Sequence, residues 1–116
     1  MKTLFILNAG AYGSELSYNG LRLATSLAKR EGEEVKIFLI GDAVSCVKKG
    51  QKVPQGYYNM ELMLSNAVRH YAEIGVCSTC MDARGITDDE IAGGAKRSTM
   101  EELTNWTIWA DKIINF

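Results

Sequence analysis

The run Thr3-Leu4-Phe5-Ile6-Leu7 decides the fold class of this 116-residue chain. It lacks the polar alternation of a half-exposed strand, which is typical of a strand covered on both faces and therefore of a parallel sheet. Comparable apolar runs at residues 35–40 and 74–77 lie between segments with helical spacing. Strands that alternate with helices predict right-handed crossovers. We therefore predict a single α/β domain over residues 1–116, a three-layer α/β/α fold with a mostly parallel central sheet of about five strands.

Three segments carry apolar residues at the spacing of a helix. The first follows Ser14, a common capping residue, with a predicted buried face of Leu16, Gly20, Leu23, Ala24, Leu27 and Ala28. The second starts at Asn59, with a face of Met60, Met63, Leu64, Ala67, Val68 and Tyr71. The last opens on the capping box Ser98-Thr99-Met100-Glu101 and should bury Leu103, Trp106, Thr107 and Ala110. A second capping box, Thr87-Asp88-Asp89-Glu90, predicts a short helix, and short strands are expected at residues 95–97 and 112–116.

The composition excludes several classes of protein. A net charge of −1 gives no basic footprint for nucleic acid or for an anionic membrane. No apolar run approaches the roughly 20 residues of a membrane span. Asn8 interrupts the N-terminal apolar run, which we interpret as a strand and not as a signal peptide. Three cysteines, an odd number, argue against a secreted disulfide framework and favour a reducing compartment, so we predict a cytoplasmic protein.

The candidate site lies where the predicted strands end. In open parallel sheets, ligands bind beyond the carboxyl ends of the strands. Three loops should meet there, at residues 8–14, 41–58 and 77–85. The last of them begins with Cys77 at the end of an apolar strand, followed by Cys80 and Arg84. A thiol in this position is placed to react, although cysteines are more often buried and inert.

The Cys77-x-x-Cys80 pair has four interpretations. A zinc site would need four ligands, and the chain adds only Cys46 and His70, so we predict no metal and no cofactor. A thioredoxin-like dithiol needs a helix N-terminus, whereas Asp82-Ala83-Arg84-Gly85 is typical of a turn. A sulfur carrier needs one accessible thiolate that holds a persulfide. The fourth interpretation is packing alone.

Two neighbouring features bear on these interpretations. The guanidinium of Arg84 could lower the pKa of the thiol and orient an anionic sulfur, or could simply pair with Asp82 or Asp88. The loop Asn8-x-Gly10-x-x-Gly13 is only a weak signal for nucleotide binding, because it lacks both the Lys-Ser/Thr of a P-loop and the dinucleotide fingerprint.

The chain resembles the DsrE/DsrF-like family of small sulfur-relay and related proteins, and in particular its YchN-like branch. The matching segments, which together span nearly the whole chain, are Asn8-Ala9-Gly10-Ala11-Tyr12-Gly13-Ser14-Glu15, Leu21-Arg22-Leu23-Ala24, Phe38-Leu39-Ile40-Gly41-Asp42-Ala43-Val44, Gly50-Gln51-Lys52, Gly56-Tyr57, Cys77-x-x-Cys80-x-x-Ala83-Arg84-Gly85-Ile86, Thr99-Met100-Glu101-Glu102-Leu103 and Ala110-Asp111-Lys112. The resemblance implies an α/β/α domain that assembles into homohexamers or hetero-oligomers. It also implies a persulfide-carrying cysteine in the loop after the third strand, which falls on Cys77. Lys96-Arg97 departs from the more apolar fourth strand that the family leads us to expect.

Together these observations give a hypothesis about function. Cys77 accepts sulfane sulfur from a donor protein and passes it to the thiol of an acceptor protein. Cys80 and Arg84 assist this transfer, and the predicted binding residues around them are Asn8, Tyr12, Gly13, Asp42, Asp82 and Gly85. The alternatives are a non-enzymatic oligomeric protein that binds a small ligand or a partner at these loops, and a dithiol redox protein that uses both cysteines.

Overall fold

The computed structural model describes residues 1–116 and contains one five-stranded sheet. The strands are β1 (Lys2–Leu7), β2 (Glu34–Leu39), β3 (Glu73–Cys77), β4 (Ala95–Ser98) and β5 (Lys112–Asn115). The α-helices are α1 (Leu16–Ala28), α2 (Met60–Arg69), α3 (Ser78–Ala83) and α4 (Met100–Trp109). Two 3₁₀ helices cover Gly41–Val47 and Asp88–Glu90. No helix in the structure is both long enough and apolar enough to cross a membrane.

The strand order is β4-β3-β2-β1-β5, and every neighbouring pair is parallel. This confirms the prediction of an α/β fold, with a sheet that is entirely and not merely mostly parallel. The central strands are buried because helices cover both faces, which is what their uninterrupted apolar runs require. All five carboxyl ends therefore lie at one edge of the sheet.

The two faces of the sheet are covered unequally. On one face α1, α2 and the 3₁₀ helix Gly41–Val47 enclose the larger core, which includes Phe5, Ile37 and Val76. On the other face α4 alone provides the cover, and the core is a small cluster of Leu4, Phe38, Leu103 and Trp106. The second face therefore leaves apolar side chains partly exposed around α4.

The buried face of α1 differs from the prediction. Leu16 and Leu23 are 54% and 44% exposed, while the buried positions are Ser17, Gly20, Leu21, Ala24 and Thr25. The reason is close packing, because a Cβ at Gly20 would lie only 2.5 Å from Leu7 Cδ2. The Ser17 hydroxyl is satisfied inside, since it donates to the carbonyl oxygen of Ala9 at 2.6 Å. The helix turns its smallest residues toward the sheet, and hydrophobic spacing alone did not reveal this.

Three smaller predictions about the helices also differ from the structure. Tyr71 lies beyond the end of α2, has a positive φ of 68° and is 95% exposed, so it does not belong to the apolar face. The cap of α4 is Thr99, one residue later than predicted, with its Oγ1 accepting from the N–H of Glu102 at 3.1 Å. Thr107 is exposed, and its hydroxyl donates to the carbonyl oxygen of Leu103.

Candidate thiol site

Cys77 ends β3 and caps the short helix α3. Its Sγ accepts the backbone N–H of Cys80 at 3.4 Å and lies 3.5 Å from the hydroxyl oxygen of Thr79. The helix takes up Asp82 and Ala83, so the turn predicted at Asp82-Ala83-Arg84-Gly85 is confined to Arg84 and Gly85. Met81 anchors that helix by burying its side chain in the core. Cys77 itself is only half-buried, so its sulfur is presented at the sheet edge.

Cys77 and Cys80 form a disulfide, with Cα atoms 5.2 Å apart. The Sγ of Cys80 also accepts the backbone N–H of Gly41 at 3.2 Å. Cys80 is half-buried like its partner, so neither cysteine is a simple core residue. The three-residue spacing has therefore brought the two sulfurs together at the rim of the sheet.

A small hollow of about 250 Å³ adjoins Cys77 on the side of the sheet that α4 covers. We call it the thiol hollow, and its lining residues are Phe38, Cys77, Ser78, Thr79, Ser98, Thr99 and Met100. The lining includes four hydroxyl side chains and no charged one. Of these hydroxyls only that of Thr79 lies within hydrogen-bond distance of the Cys77 sulfur, beside the N–H of Cys80.

Arg84 is oriented away from the sulfurs. Its guanidinium pairs with Asp42, with Nη2 at 2.6 Å from Oδ1, and its Nη1 donates to the carbonyl oxygen of Cys80 at 3.1 Å. The expected partners Asp82 and Asp88 bind Arg97 instead. Arg84 forms no hydrogen bond with either sulfur, so its contact with the site runs through the backbone of Cys80.

Arg97 is a residue whose role the sequence did not indicate. Its Nη1 donates to the Ser78 hydroxyl at 2.7 Å and to Asp82 at 3.0 Å, and its Nε donates to Asp88. The hydrogen bonds to Asp88 and Asp82 raise the pKa of the Arg97 guanidinium. This side chain ties β4 to the first turn of α3 and thereby helps to hold the helix that carries Cys80. The only signal in the sequence was its unusual basic character within a predicted strand.

The other predicted site residues do not share the thiol hollow. An open cleft of about 850 Å³, which we call the Tyr12 cleft, is lined by Gly10, Tyr12, Gly13, Asp42, Lys49, Arg84 and other residues of the same loops. It shares no lining residue with the thiol hollow. The loops at residues 8–14 and 41–51 meet there as expected, and Arg84 brings the loop at residues 77–85 to the same cleft.

Three predicted residues stand apart from both hollows. Asn8 donates from Nδ2 to Asn115 Oδ1 at 2.6 Å and to the carbonyl oxygen of Phe116 at 2.8 Å, which fastens the end of β1 to β5. Asp82 is occupied by Arg97. Gly85 has a φ of 66° and ends α3 in a turn.

Cys46 and His70 lie away from the thiols. Cys46 is fully buried, and burial raises the pKa of its thiol from 9.0 to about 12. The His70 ring nitrogen Nδ1 lies 2.9 Å from the carbonyl oxygen of Asn66, within its own helix end. The structure contains no group of three or more His, Cys, Asp or Glu side chains that could hold a metal ion.

Comparison with known proteins identifies the family. A sequence model of the DsrE/DsrF-like family matches residues 1–116. Protein YchN of Escherichia coli is 37% identical over 116 residues, which covers 99% of this chain and 98% of YchN. An uncharacterized protein of Methanopyrus kandleri is 39% identical over 111 residues, covering 96% of this chain and 90% of that protein.

Solved structures agree with the sequence comparison. The crystal structure of YchN superposes with a TM-score of 0.93 over 99% of this chain and 98% of YchN. A protein of unknown function from Methanobacterium thermoautotrophicum, at 12% identity, gives a TM-score of 0.75 over 99% of this chain and 98% of its own, which shows a shared fold alone. The chain therefore belongs to the DsrE/DsrF-like family.

Proposed function

We propose that Cys77 is a carrier of sulfane sulfur in a protein sulfur relay. The observation that carries this proposal is the half-buried Cys77 sulfur at the carboxyl edge of a parallel sheet, where it opens on a hollow and accepts an N–H. Membership of a family related to sulfur relay supports the same chemistry. The partners would be a donor protein that carries a persulfide and an acceptor protein with a free thiol.

The transfer needs the reduced form of the pair. A cellular thiol reductant first opens the Cys77–Cys80 disulfide by supplying two electrons and two protons, giving two thiols. The Cys77 thiolate then attacks the outer sulfur of the donor persulfide, so that a new S–S bond forms on Cys77 and the donor leaves as a thiolate. The acceptor thiolate next attacks the same outer sulfur, and the Cys77 thiolate is released. The N–H of Cys80 and the hydroxyl of Thr79 stabilise the anion on Cys77 at the start and at the end.

Cys80 supplies a second outcome for the carried sulfur. Its thiolate can attack the inner sulfur of the Cys77 persulfide, because the two side chains already reach each other. That step forms the Cys77–Cys80 disulfide and expels hydrosulfide. In the absence of an acceptor protein, the carried sulfur would therefore be released as hydrosulfide and the Cys77–Cys80 disulfide would form again. The thiol reductant then reduces that disulfide.

The two cysteines give a sharp test. The reduced protein is treated with an excess of a small persulfide donor and weighed intact by mass spectrometry over time. We expect a transient gain of one sulfur atom in the wild type, a lasting gain in Cys80→Ser and no gain in Cys77→Ser. Hydrosulfide release, measured in the same samples, should be lost in Cys80→Ser because no thiol remains to displace it.

A matched control uses the third cysteine. Cys46→Ala should behave as the wild type, because the Cys46 thiol is fully buried and its raised pKa keeps it protonated at neutral pH. The proposal is wrong if Cys77→Ser gains sulfur as the wild type does, or if the reduced wild type gains none.

A second function is favoured by the disulfide itself. In a dithiol redox protein the pair would exchange electrons with a substrate disulfide and carry no extra sulfur. Reduction of insulin distinguishes the two functions, because a redox protein loses its activity equally in Cys77→Ser and Cys80→Ser. A sulfur carrier instead gives the asymmetric result of the persulfide assay, in which Cys80→Ser keeps the added sulfur and Cys77→Ser gains none. Sulfur transfer needs the reduced pair, which a reducing compartment such as the cytoplasm maintains.

A further inference from the structure

The Tyr12 cleft is separate from the thiol chemistry and has no role in the proposed transfer. The loops that follow β1 and β2 form it, and its volume of about 850 Å³ exceeds that of the thiol hollow more than threefold. The Tyr12 ring stands at its rim and remains 44% exposed although both its hydroxyl contacts are made. That hydroxyl donates to Gln51 Oε1 at 2.6 Å and accepts the N–H of Met60 at 3.2 Å. The ring is thus fixed in place before any ligand arrives.

An apolar hollow of about 180 Å³ continues the cleft beyond Tyr12. Its walls are Tyr12, Val53, Pro54, Tyr57 and Tyr58, so three of the five side chains are aromatic. Tyr57 is 70% exposed, and Tyr58 stacks on Tyr12 with ring centroids 5.8 Å apart. Exposed rings that face a hollow can bury a flat apolar group, which makes this the apolar end of a combined site.

The charges of the Tyr12 cleft define its other end. Its lining carries Lys48, Lys49 and Arg84 but only one carboxylate, that of Asp42. Lys48 is paired with Glu90 at 2.9 Å and Arg84 with Asp42 at 2.6 Å. Lys49 is in no salt bridge, while its backbone N–H is held by the carbonyl oxygen of Glu90 at 2.7 Å. An ammonium group on a fixed backbone is therefore available to an anion.

The loop between the two ends is held by side-chain hydrogen bonds. The Gln51 side-chain amide donates to the carbonyl oxygens of Cys46 and Lys48, both at 2.9 Å. Glu61 Oε1 accepts the N–H groups of Gly50 and Gln51 at 3.0 and 3.1 Å. Such bonds keep Lys49 and the ring cluster at a fixed separation, which lowers the entropy cost of binding.

We propose that the Tyr12 cleft and the hollow beyond it bind one small organic anion. Its flat apolar part packs between Tyr12 and Tyr57, and its carboxylate, sulfonate or phosphate group lies against Lys49. The ring cluster supplies most of the affinity, and the single free ammonium selects for negative charge. This site is distinct from Cys77, so binding does not require the thiol.

Anilinonaphthalene sulfonate is a suitable probe, because it joins a phenyl ring and a flat naphthalene ring system to one anionic sulfonate group. Titration of the reduced, folded protein, followed by dye fluorescence and calorimetry, should give one site per chain. We expect Tyr57→Ser to weaken binding about tenfold through loss of ring contact. Lys49→Gln should weaken it about threefold, an effect that added salt removes.

Two matched controls separate this site from general surface binding. Tyr71→Ser removes a ring at the opposite edge of the sheet that is 95% exposed, against 70% for Tyr57, and Lys52→Gln removes the same charge from the same loop outside the cleft. Both should bind the dye as the wild type does. Neutral phenylnaphthylamine should respond to Tyr57→Ser but not to Lys49→Gln.

Several outcomes overturn the inference. They are the absence of dye binding to the folded wild type, an equal loss of affinity in a matched control, and an equal effect of Lys49→Gln on the neutral dye. Cys77→Ser should retain full affinity, so the result stands or falls independently of sulfur transfer.

Discussion

A single glycine determines how closely α4 approaches the sheet. A Cβ built on Gly75 would lie 3.0 Å from Trp106 Cη2 and 3.2 Å from Phe38 Cδ2. The indole and the phenyl ring meet edge to face, with centroids 6.0 Å apart, directly over this position in β3. Because Gly75 lies two residues before Cys77, the packing of Trp106 also bears on the end of the strand that presents the thiol.

Gly75→Ala should therefore destabilise the protein. The added methyl group must displace Trp106 or Phe38, and overpacking of this kind costs about 1–3 kcal/mol. Urea unfolding followed by Trp fluorescence measures the change. Gly93→Ala is the control, since a Cβ at Gly93 meets nothing within 4 Å, and its unfolding free energy should stay within about 0.5 kcal/mol of the wild type. Equal stabilities for the two variants would contradict the packing argument.

The contacts of single residues show how much of the candidate site could be predicted from the sequence. The position of Cys77 follows from one apolar run that ends at a polar segment, which is a local pattern. The partner of Arg84 is Asp42, 42 residues away in the chain, and their pairing depends on how two loops meet in space. No local pattern encodes that meeting, so the nearer Asp82 and Asp88 seemed equally suitable. For the same reason the sequence did not predict the hydrogen bonds from Arg97 to Ser78, Asp82 and Asp88.

Among the elements, the 3₁₀ helix Asp88–Glu90 fastens two loops together. Glu90 Oε1 accepts the backbone N–H of Thr87 at 2.9 Å, as the capping-box pattern predicted, and Oε2 pairs with Lys48 Nζ at 2.9 Å. A backbone hydrogen bond also connects the two loops, because the N–H of Ala92 donates to the carbonyl oxygen of Val47 at 2.7 Å. The hydrogen bonds to the Glu90 carboxylate, first that from the Thr87 N–H and then that from Lys48, lower the pKa of Glu90 from 4.5 to about 2.

This shift predicts a dependence of stability on acid. The pKa of Glu90 is lower in the folded state than in the unfolded chain, so ionisation of this carboxyl group stabilises the folded state. That stabilisation is complete above pH 4.5 and is lost as the pH falls toward 2. Glu90→Gln lacks the carboxylate at every pH. We expect its unfolding free energy to lie below that of the wild type at pH 7, and the gap to shrink as the pH falls through this window. A gap that stays constant down to pH 2 would contradict the assigned cause.

Elements were predicted well where their signal was local. The capping box at Thr87 and the strand runs are patterns of neighbouring residues, and the structure contains both. The buried face of α1 was not predictable from hydrophobic spacing, because Gly20 and Ser17 face the sheet through close approach and a buried hydrogen bond. Likewise α3 is too short for periodicity to indicate it, and it depends on the burial of Met81.

At the scale of the whole molecule, we propose that copies of this chain associate through exposed apolar side chains. Ile108 and Met100 on α4 are 79% and 63% exposed, and Leu62 on α2 is 66% exposed. Trp109 is half-buried in the single chain, with the Lys36 ammonium 4.5 Å from its ring centroid. Together with the family resemblance, these surfaces support the proposal of a homo-oligomer, with a hexamer as the expected size.

Light scattering after gel filtration tests the assembly. We expect the wild-type mass to be a multiple of 12.8 kDa, with six chains as the predicted number. Ile108→Lys places a charge on α4, and Leu62→Lys places one on α2. If the substituted residue lies between two chains, the variant should have a lower mass than the wild type, because a buried unpaired charge is costly. Lys112→Gln, an exposed polar change, should not alter the mass. A monomeric wild type would refute the proposal.

The pairing of β1 with β5 has a consequence for biosynthesis. Thr3 lies opposite Lys112 and Ile6 opposite Asn115, so the ribosome makes β1 long before it makes β5, its neighbour in the sheet. While the ribosome is still adding residues up to 111, one side of β1 exposes a row of unpaired amide and carbonyl groups that could template pairing with another nascent chain. Parallel pairs separated this far in sequence also form slowly. Pairing with residues 112–115 therefore closes an edge of β1 that stays open while the residues before them are made.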